Sequence, residues 1–379
     1  MNIIIYNPNS RGGNFDYALR LSQEFVKYPS LTEFAIVLPV NSVTPSTGEF
    51  HKILLSDLPP SSNKIVSRVY FLWRSIINPF KFYNFIKNKS NGYVIFNDFD
   101  QATSVLWSFV FRRLKVRFVF SVILHDPDRD NYFRVRSLSR FSMQRVMSIM
   151  NVAFYHEILP ERPYYPQRIS YHSIPHGLYD KSNLATCDAG LRRRLSDFKK
   201  NDKLISAIGN IRFEKNYDVI ITALKEIEGL KLLIYGMPSN SSVRLSKYRE
   251  LVMKEGLSDR VLVIEKHFDD SKLAAIAENT DAFIMYYANS FKSQSGILNL
   301  LAPFKKMLLV SKTESPLSLM VSKYNLGLMA RPDSKEDLVE MLRSFKQSEY
   351  LLADWTGYFN YASWKNNVSS IMGAFEVNR

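Results

Sequence analysis

Cysteine is almost missing from the sequence: Cys187 is the only one among 379 residues. A single thiol cannot form a disulfide within the chain, and it cannot build a metal site from several cysteines. Asp126, Asp128 and Asp130 follow closely on His125, but no glutamate comes after them at the spacing of an EF-hand calcium loop, so we expect no bound metal. The scarcity of cysteine fits a reducing compartment and indicates a cytoplasmic protein.

Long apolar runs are missing as well. The strongest ones, such as Ala102–Phe111 and Phe118–Leu124, are far shorter than the roughly 20 residues that a helix needs to span a bilayer. The N-terminal residues MNIIIYNPNSRGG have no basic segment before an apolar core, and they predict a β-strand instead of a signal peptide. We therefore expect a chain that does not cross a membrane.

Acidic residues are few in one part of the chain. The net charge is +14, and the stretch from Lys64 to Arg145 has fifteen Lys and Arg but five Asp, which leaves ten of those charges there. Such an excess favours phosphate-rich partners: nucleic acid, anionic lipid headgroups or phosphorylated substrates. The sequence has no helix-turn-helix, zinc-finger spacing or RNA-recognition motif, so we expect no specific nucleic-acid partner.

Within that stretch, Ser67–Lys87 combines seven aromatic residues with four basic residues and no acid. This composition suits a membrane interface, where rings lie at the depth of the headgroups and cations meet anionic lipids. A pair of helices packed on a sheet and interrupted at Pro79 accounts for it equally well. Both interpretations stay open.

Short apolar runs alternate with amphipathic segments, which is typical of an α/β fold with parallel sheets covered by helices. The predicted strands are Asn2–Tyr6, Glu33–Pro39, Tyr93–Asn97, Arg117–Leu124, Val152–His156, Ser170–Ile174, Lys203–Ile208, Lys231–Tyr235, Val261–Glu265, Ala282–Tyr286 and Met307–Val310. The predicted helices are Phe15–Lys27, Gln101–Arg113, Arg136–Met150, Tyr217–Glu226, Ser242–Glu255, Asp270–Asn279 and Gly296–Phe304. The pattern restarts after a polar stretch, which predicts one domain at 1–180, another at 181–350 and a terminal helix at 351–379.

The clearest candidate for chemistry is Gly209–Asp218, with the sequence GNIRFEKNYD, between a predicted strand and a predicted helix. A glycine at the carboxyl end of a strand permits a sharp turn and a close approach to the backbone. The next helix presents free N–H groups and the positive end of its dipole at the same place. Arg212 and Lys215 add full charges, so the pattern predicts a diphosphate site at the open edge of a parallel sheet.

This run resembles a motif in the C-terminal domain of GT-B glycosyltransferases, notably the retaining family 4. The resemblance implies two Rossmann-like domains that face a cleft, with a C-terminal helix that crosses back to the first domain. It also implies a nucleotide-diphosphate sugar as substrate, with no cofactor. In that family a basic pair on this loop holds the donor diphosphate: Lys215 stands at the lysine position, whereas the arginine position reads Asn210 and Arg212 follows it.

Two later strands match the family in order. Lys231–Gly236 is similar to the next strand with its terminal glycine, Gly236. Val261–Phe268 is similar to the strand and loop that cover the nucleotide base, which implies donor contacts at His267 and Phe268.

The donor loop of the family is matched by residues 293–297, which open a predicted helix. The resemblance implies that backbone N–H groups of Ser295, Gly296 and Ile297 bind the donor phosphate, and that Ser293 or Ser295 reaches the sugar. The family brackets this loop with two glutamates, and the corresponding positions here are Ser293 and Leu301.

The first domain matches in outline. Gly12 and Gly13 resemble the glycine loop near the donor phosphate, although a plain turn explains them equally well. His125 and Asp126 follow a predicted strand, at an exposed position where the family often has a histidine that touches the donor sugar; a histidine that caps a strand end is the alternative. His176, before Gly177, resembles a turn ahead of the interdomain linker.

The resemblance implies a hexosyltransferase in bacterial envelope polysaccharide synthesis, with a lipid-linked glycan acceptor, peripheral at the inner face of the plasma membrane. Lys215 and Arg212 would stabilise the departing diphosphate without a metal. In a retaining enzyme that phosphate can take the proton of the acceptor, whereas an inverting enzyme needs Asp126 or His125 as base. A sugar-nucleotide epimerase and a non-catalytic nucleotide- or nucleic-acid-binding protein stay open as alternatives.

Overall fold

The computed structural model describes residues 1–46, 48–179, 187–240, 242–292, 295–347 and 352–377. The chain forms two compact units. The first unit contains residues 1–177 together with the C-terminal segment from Ala362, and the second contains residues 178–361.

The described residues of the first unit form a seven-stranded sheet in the order β3-β2-β1-β4-β5-β6-β7, with all neighbours parallel. Its strands are β1 (Asn2–Tyr6), β2 (Glu33–Pro39), β3 (Phe50–Leu54), β4 (Gly92–Phe96), β5 (Phe118–Leu124), β6 (Val152–Tyr155) and β7 (Ser170–Ser173). Because the central strands are almost continuous apolar runs, both of their faces can be buried. The helices of this unit are α1 (Gly13–Phe25), α2 (Lys64–Ile86), α3 (Ser104–Phe111), α4 (Arg136–Met147) and α13 (Trp364–Val377).

The helix α2 is one continuous helix, so the predicted interruption at Pro79 is wrong. A proline removes the hydrogen bond to the carbonyl four residues earlier, which here belongs to Ser75. The hydroxyl of Thr103 donates to that carbonyl over 2.6 Å. The missing bond is therefore replaced from a neighbouring segment.

The described residues of the second unit form a six-stranded parallel sheet in the order β10-β9-β8-β11-β12-β13. Its strands are β8 (Lys203–Ile208), β9 (Leu230–Gly236), β10 (Val261–Glu265), β11 (Ala282–Met285), β12 (Met307–Ser311) and β13 (Gly327–Ala330). Its helices are α5 (Ala189–Lys199), α6 (Tyr217–Leu224), α7 (Leu245–Lys254), α8 (Asp270–Asn279), α9 (Gly296–Leu301), α10 (Pro316–Lys323), α11 (Lys335–Gln347) and α12 (Trp355–Tyr361). This is the doubly wound Rossmann strand order, so the predicted fold class is confirmed.

The C-terminal part differs from the prediction. The single terminal helix expected for 351–379 is divided into α12 and α13, which belong to different units. Val368, Ile371 and Phe375 of α13 pack into the core of the first unit, beside Ile3 and Ile5 of β1. No helix of the described residues combines the length and the apolar character needed to cross a bilayer.

Candidate active site

Both sheets have a place where the order of strands reverses. In the second unit it lies between β8 and β11, and in the first unit it lies between β1 and β4. At such a point the loops after the two strands diverge and leave a crevice at the carboxyl edge of the sheet, where open α/β sheets bind ligands.

Two glycines shape the crevice of the second unit. Gly209 follows β8 with a φ of +99°, and a Cβ on it would lie 2.7 Å from Cδ1 of Ile297. Gly236 ends β9, and a Cβ there would lie 2.0 Å from the carbonyl oxygen of Gly209. Because neither position has room for a side chain, the predicted importance of both glycines has a steric cause.

Lys215 lies on the loop between β8 and α6 and points back at the strand end. Its Nζ donates to the carbonyl of Ile208 over 2.8 Å and lies 5.9 Å from the ring centre of Tyr287. Burial, with a further contribution from nearby Arg212, lowers the pKa of Lys215 to about 7. Since a buried ammonium without an anion is unfavourable, an anion placed beside it would restore its charge.

A cavity of about 170 Å³ opens beside Lys215. Its walls come from the loop after β8, from the segment after β11 and from the first residues of α9. The lining residues are Asn210, Arg212, Glu214, Lys215, Tyr287, Phe291, Ser295, Gly296 and Ile297. The structure thus brings together six of the predicted site residues at the strand reversal, whereas Ser293 lies outside the described residues.

The two predicted base-contacting residues lie elsewhere in this unit. His267 is exposed and Phe268 is half-buried, both in the loop between β10 and α8. Neither belongs to the described residues that line the cavity. Leu301, at a position where the family has a glutamate, is buried at the end of α9.

Asp333 joins the two loops that form the cavity and was not found from the sequence. One carboxylate oxygen accepts from the side-chain amide of Asn216 over 2.7 Å, and the other accepts from the backbone N–H of Asn289 over 3.0 Å. The backbone N–H of Ala288 also donates to the carbonyl of Glu214 over 2.8 Å. The loop after β8 and the loop after β11 are therefore held at a fixed separation.

In the first unit, the predicted glycine loop leads from β1 to α1. Gly12 has a φ of +83°, and neither Gly12 nor Gly13 has a heavy atom within 4 Å of its Cβ position. Ser10 fixes the start of this loop, because its N–H and its hydroxyl donate to the Asp57 carboxylate over 2.8 and 2.5 Å. The first residue of the loop is thus fixed by hydrogen bonds, and the space beside its two glycines is open.

His125 lies at the end of β5 but is not an exposed histidine as predicted; it is part-buried and hydrogen-bonded. Its Nε2 is 3.2 Å from Oδ1 of Asn97. The amide of Asn97 donates to Oδ1 of Asn7 over 2.9 Å and to the carbonyl of Asn14 over 2.8 Å, so its Oδ1 is the acceptor for the imidazole. Burial lowers the pKa of His125 to about 3, which makes the ring neutral near pH 7.

Three histidines and a tryptophan surround the ring of Tyr17 on α1. The centre of that ring lies 4.6 Å from His125, 5.6 Å from His156, 5.1 Å from His176 and 4.9 Å from Trp364. Burial lowers the pKa of His176 to about 4 and that of His156 well below its ordinary value. The cluster is therefore an uncharged, packed wall beneath the crevice of this unit.

Of the three aspartates that follow β5, Asp128 and Asp130 form ion pairs, whereas Asp126 lies next to His125. Asp128 forms an ion pair with Arg162 and Asp130 forms one with Arg140, both at 2.7 Å. Asp126 directly follows His125, and its backbone carbonyl accepts from Nε of Arg129 over 2.9 Å. Among the residues that the structure describes, no group of three or more potential ligands could hold a metal ion.

A second cavity, of about 630 Å³, lies between β13 and α11. It is larger, but it borders the edge strand of the sheet and not the strand reversal. Arg331, Asp337 and Glu340 line it, and the first two already form an ion pair at 2.9 Å. The smaller cavity at Lys215 is therefore the better candidate for a ligand site.

Sequence comparison bears on the same unit. Residues 191–358, nearly all of the second unit, match the family model described as glycosyl transferases group 1. A comparison with curated proteins finds no match. The match contains the predicted diphosphate loop and every residue that lines the cavity.

Solved structures resemble the whole chain. HepE of Anabaena in complex with UDP has a TM-score of 0.70 at 12% identity, with 100% of this chain and 99% of that chain covered. An α,α-trehalose-phosphate synthase (UDP-forming) of Burkholderia xenovorans has a TM-score of 0.69 at 13% identity, covering 99% and 100%. Sucrose-phosphate synthase of Thermosynechococcus elongatus has a TM-score of 0.68 at 14% identity, covering 100% and 98%. At such low identity these likenesses establish the fold alone.

The chain has the GT-B fold, and residues 191–358 within it match the glycosyl transferases group 1 family. Its two doubly wound parallel sheets are those of that fold. The second unit keeps the basic loop after β8 that the motif predicted, with Lys215 at the strand reversal.

Proposed function

We propose that the protein transfers a hexose from a nucleoside-diphosphate sugar to a glycan acceptor. The observation that supports this most directly is the cavity at the strand reversal of the second unit, where Lys215 and Arg212 lie together with the first residues of α9. A pyrophosphate would bring the negative charge that Lys215 and Arg212 need beside them. HepE, which has a similar fold, was solved in complex with UDP. UDP is therefore our first candidate for the nucleotide.

The chemistry follows from the charges. When the bond between the anomeric carbon and the diphosphate breaks, negative charge grows on the leaving phosphate. Lys215 would gain its proton and full charge beside that phosphate, Arg212 would add a second charge, and the N–H groups of Ser295, Gly296 and Ile297 would bind its oxygens. Two fixed cations can neutralise the diphosphate, so we propose that transfer needs no divalent metal.

We further propose that the configuration of the sugar is retained. In this route the leaving phosphate accepts the proton of the acceptor hydroxyl, and no side-chain base is required. His125 supports this choice, because burial depresses its pKa and makes it a weak base, and because its Nε2 is engaged with Asn97. We propose His125 as a group that contacts the sugar, and Asp126 as the base only if an inverting product is found.

The acceptor is proposed to be a lipid-linked glycan of the bacterial envelope, reached from the cytoplasmic side by a protein that is peripheral to the plasma membrane. The aromatic and basic residues of α2 support this.

The decisive experiment compares the protein with its Lys215→Ala variant in the presence of EDTA. We expect calorimetry to detect UDP binding that weakens at least roughly tenfold in the variant, since one cation to a phosphate is lost. We expect radiolabelled UDP-hexoses to give labelled product with a mixed glycolipid extract. Arg193→Ala, an exposed arginine on α5, is the matched control.

Other outcomes would contradict the proposal. Conversion of the sugar nucleotide in the absence of acceptor would identify an epimerase. Nucleotide binding without turnover over a full panel of donors and acceptors would indicate a non-catalytic nucleotide-binding protein. Unchanged UDP affinity in Lys215→Ala would refute the assignment of the cavity.

A further inference from the structure

Three helices of the first unit have an outer surface that no described residue covers. The helix α3 contacts both α2 and α4, and their inner sides pack on the sheet through Phe82, Trp107 and Met143. Their outer sides carry exposed apolar side chains, among them Ile65, Val69, Trp73, Leu106, Phe109 and Phe141. We call this outer surface the basic apolar face.

The first half of α2 is its most exposed part. None of the residues 64–73 is buried. Ile65, Val69 and Trp73 are 72%, 62% and 56% exposed, and their spacing of four places them on one side of the helix. A soluble protein rarely leaves such a contiguous apolar surface in water unless the surface has a partner.

The charge of the face is of one sign. The helices α2, α3 and α4 contain no acidic residue at all. Arg68 and Arg113 are exposed and form no ion pair with a described residue, and Asp128 and Asp130, which precede α4, pair with other arginines. Burial, together with the neighbouring cations Arg168 and Arg112, lowers the pKa of Lys115, as expected where positive charges outnumber their counter-charges.

These two properties together select one partner. Exposed aliphatic side chains gain nothing from a polynucleotide backbone, whereas they gain from contact with acyl chains. A second copy of the chain would bring arginines against arginines in a symmetric contact, which is repulsive. Lipid headgroups with negative charge satisfy the cations and leave the rings and aliphatic groups at the depth that suits them.

We propose that the basic apolar face docks the protein on an anionic lipid bilayer, with the first half of α2 inserted to the depth of the headgroups. The inference rests on the surface of the first unit and not on sugar transfer, so its failure would leave the proposed activity intact.

Docking through α2 has a geometric link to the crevice of the first unit. Arg74 directly follows Trp73, is buried, and donates to the carbonyl of Pro8 over 3.0 Å. Pro8 leads into the Ser10–Gly13 loop. The hydrogen bond from Arg74 to Pro8 therefore joins the end of the inserted half of α2 to the segment before the glycine loop. On docking, that loop would lie near the plane of the headgroups.

The test uses the full chain and large vesicles of phosphatidylcholine with or without phosphatidylglycerol. We expect co-sedimentation with the anionic vesicles, and its loss with the neutral ones or at high salt. Two variants probe the two parts of the face: Val69→Ser with Trp73→Ser and Phe109→Ser, and Arg68→Gln with Arg113→Gln. Each should lower the partition coefficient at least about tenfold.

Matched controls lie on the second unit. Met253→Ser removes an exposed apolar side chain, and Arg193→Gln with Arg194→Gln removes two exposed cations; both should bind as the unchanged protein does. Thermal melts establish that every variant folds. In addition, vesicles with brominated acyl chains should quench tryptophan fluorescence of the unchanged protein. Trp73→Phe should abolish the part of the quenching that comes from Trp73.

Several results would overturn the proposal. Equal binding to neutral and anionic vesicles, or equal binding of the face variants and their controls, would refute it. A concentration-dependent dimer that the apolar variant dissolves would assign the face to self-association. Salt-sensitive binding of the same face to an arbitrary oligonucleotide, without vesicle binding, would assign it to nucleic acid.

Discussion

Lys215 is a cation whose charge depends on what binds beside it. Its Nζ has a main-chain carbonyl as partner and Arg212 as a like-charged neighbour, and its pKa lies near 7. A diphosphate in the cavity favours the protonated form, so the pKa in the complex is higher than in the free protein. Binding therefore takes up a proton when the pH lies between these two values.

We predict that the contribution of Lys215 to UDP affinity is constant below about pH 7 and falls as the pH rises above it, because the free protein then has to acquire the proton. Calorimetry at about pH 8 in buffers of different ionisation enthalpy should show uptake of roughly one proton. Lys215→Arg keeps the charge but is always protonated, so it should bind UDP with no uptake. Equal uptake in both proteins would contradict the pKa assigned to Lys215.

The sequence was sufficient to predict which residues lie at the strand end that borders the cavity. Gly209, Arg212 and Lys215 were found because a glycine and two cations follow an apolar strand. Tyr287, which lines the cavity, and Asp333, which holds the two loops beside it, were not found, since each acts through a contact distant in sequence and carries no local pattern. His125 was placed correctly at the end of β5, but its burial depends on Tyr17 and Asn97, which periodicity cannot locate.

At the scale of secondary structure elements, the ends of β8 and β9 approach so closely that one added methyl group would not fit between them. A Cβ on Gly236 would lie 2.0 Å from the backbone oxygen of Gly209, and a backbone atom cannot move aside as a flexible side chain can. Gly236→Ala should therefore separate the ends of the two strands, where the cavity begins.

We predict that Gly236→Ala destabilises the second unit by about 3 kcal/mol, as overpacking against backbone does, and weakens UDP binding. Urea denaturation and calorimetry would measure the two effects. Gly296→Ala is the matched control for stability, because no heavy atom lies within 4 Å of its Cβ position. If the two alanine variants are equally stable, the contact between the strands is looser than described.

Most elements with a clear apolar run were predictable, whereas several without one were not. The strands β1, β2, β8 and β10 have the bounds that their apolar residues predicted. The edge strands β3 and β13 were missed, because their residues are mostly half-exposed and alternate weakly. The continuity of α2 was missed because Thr103, which replaces the hydrogen bond lost at Pro79, comes from another part of the chain.

At the scale of the whole molecule, the first unit is completed by the C-terminal segment. The side-chain amide of Asn367 on α13 donates to the hydroxyl of Tyr17 and to the carbonyl of Pro175, both over 2.6 Å. Asn367 is fully buried. The last helix is thus held by specific hydrogen bonds as well as by apolar contacts.

We predict that Asn367→Ala lowers the free energy of unfolding by about 2 kcal/mol, because it leaves two buried partners without a donor. In the variant, backbone amides of β1 and α1 in the first unit should exchange faster, whereas the exchange rates in the second unit should not change. Lys365→Ala, at an exposed position of the same helix, should have little effect. Uniform acceleration across both units would indicate that the helix stabilises the chain in some other way.

The return of the chain to the first unit has a consequence for biosynthesis. Residues 1–177 leave the ribosome first, but the helix that covers Ile5 and Phe154 is translated only after the whole second unit. During translation, the side of the first sheet that α13 covers lacks this helix until nearly two hundred further residues have been synthesised. The half of the protein that is made first is therefore the half that finishes folding last.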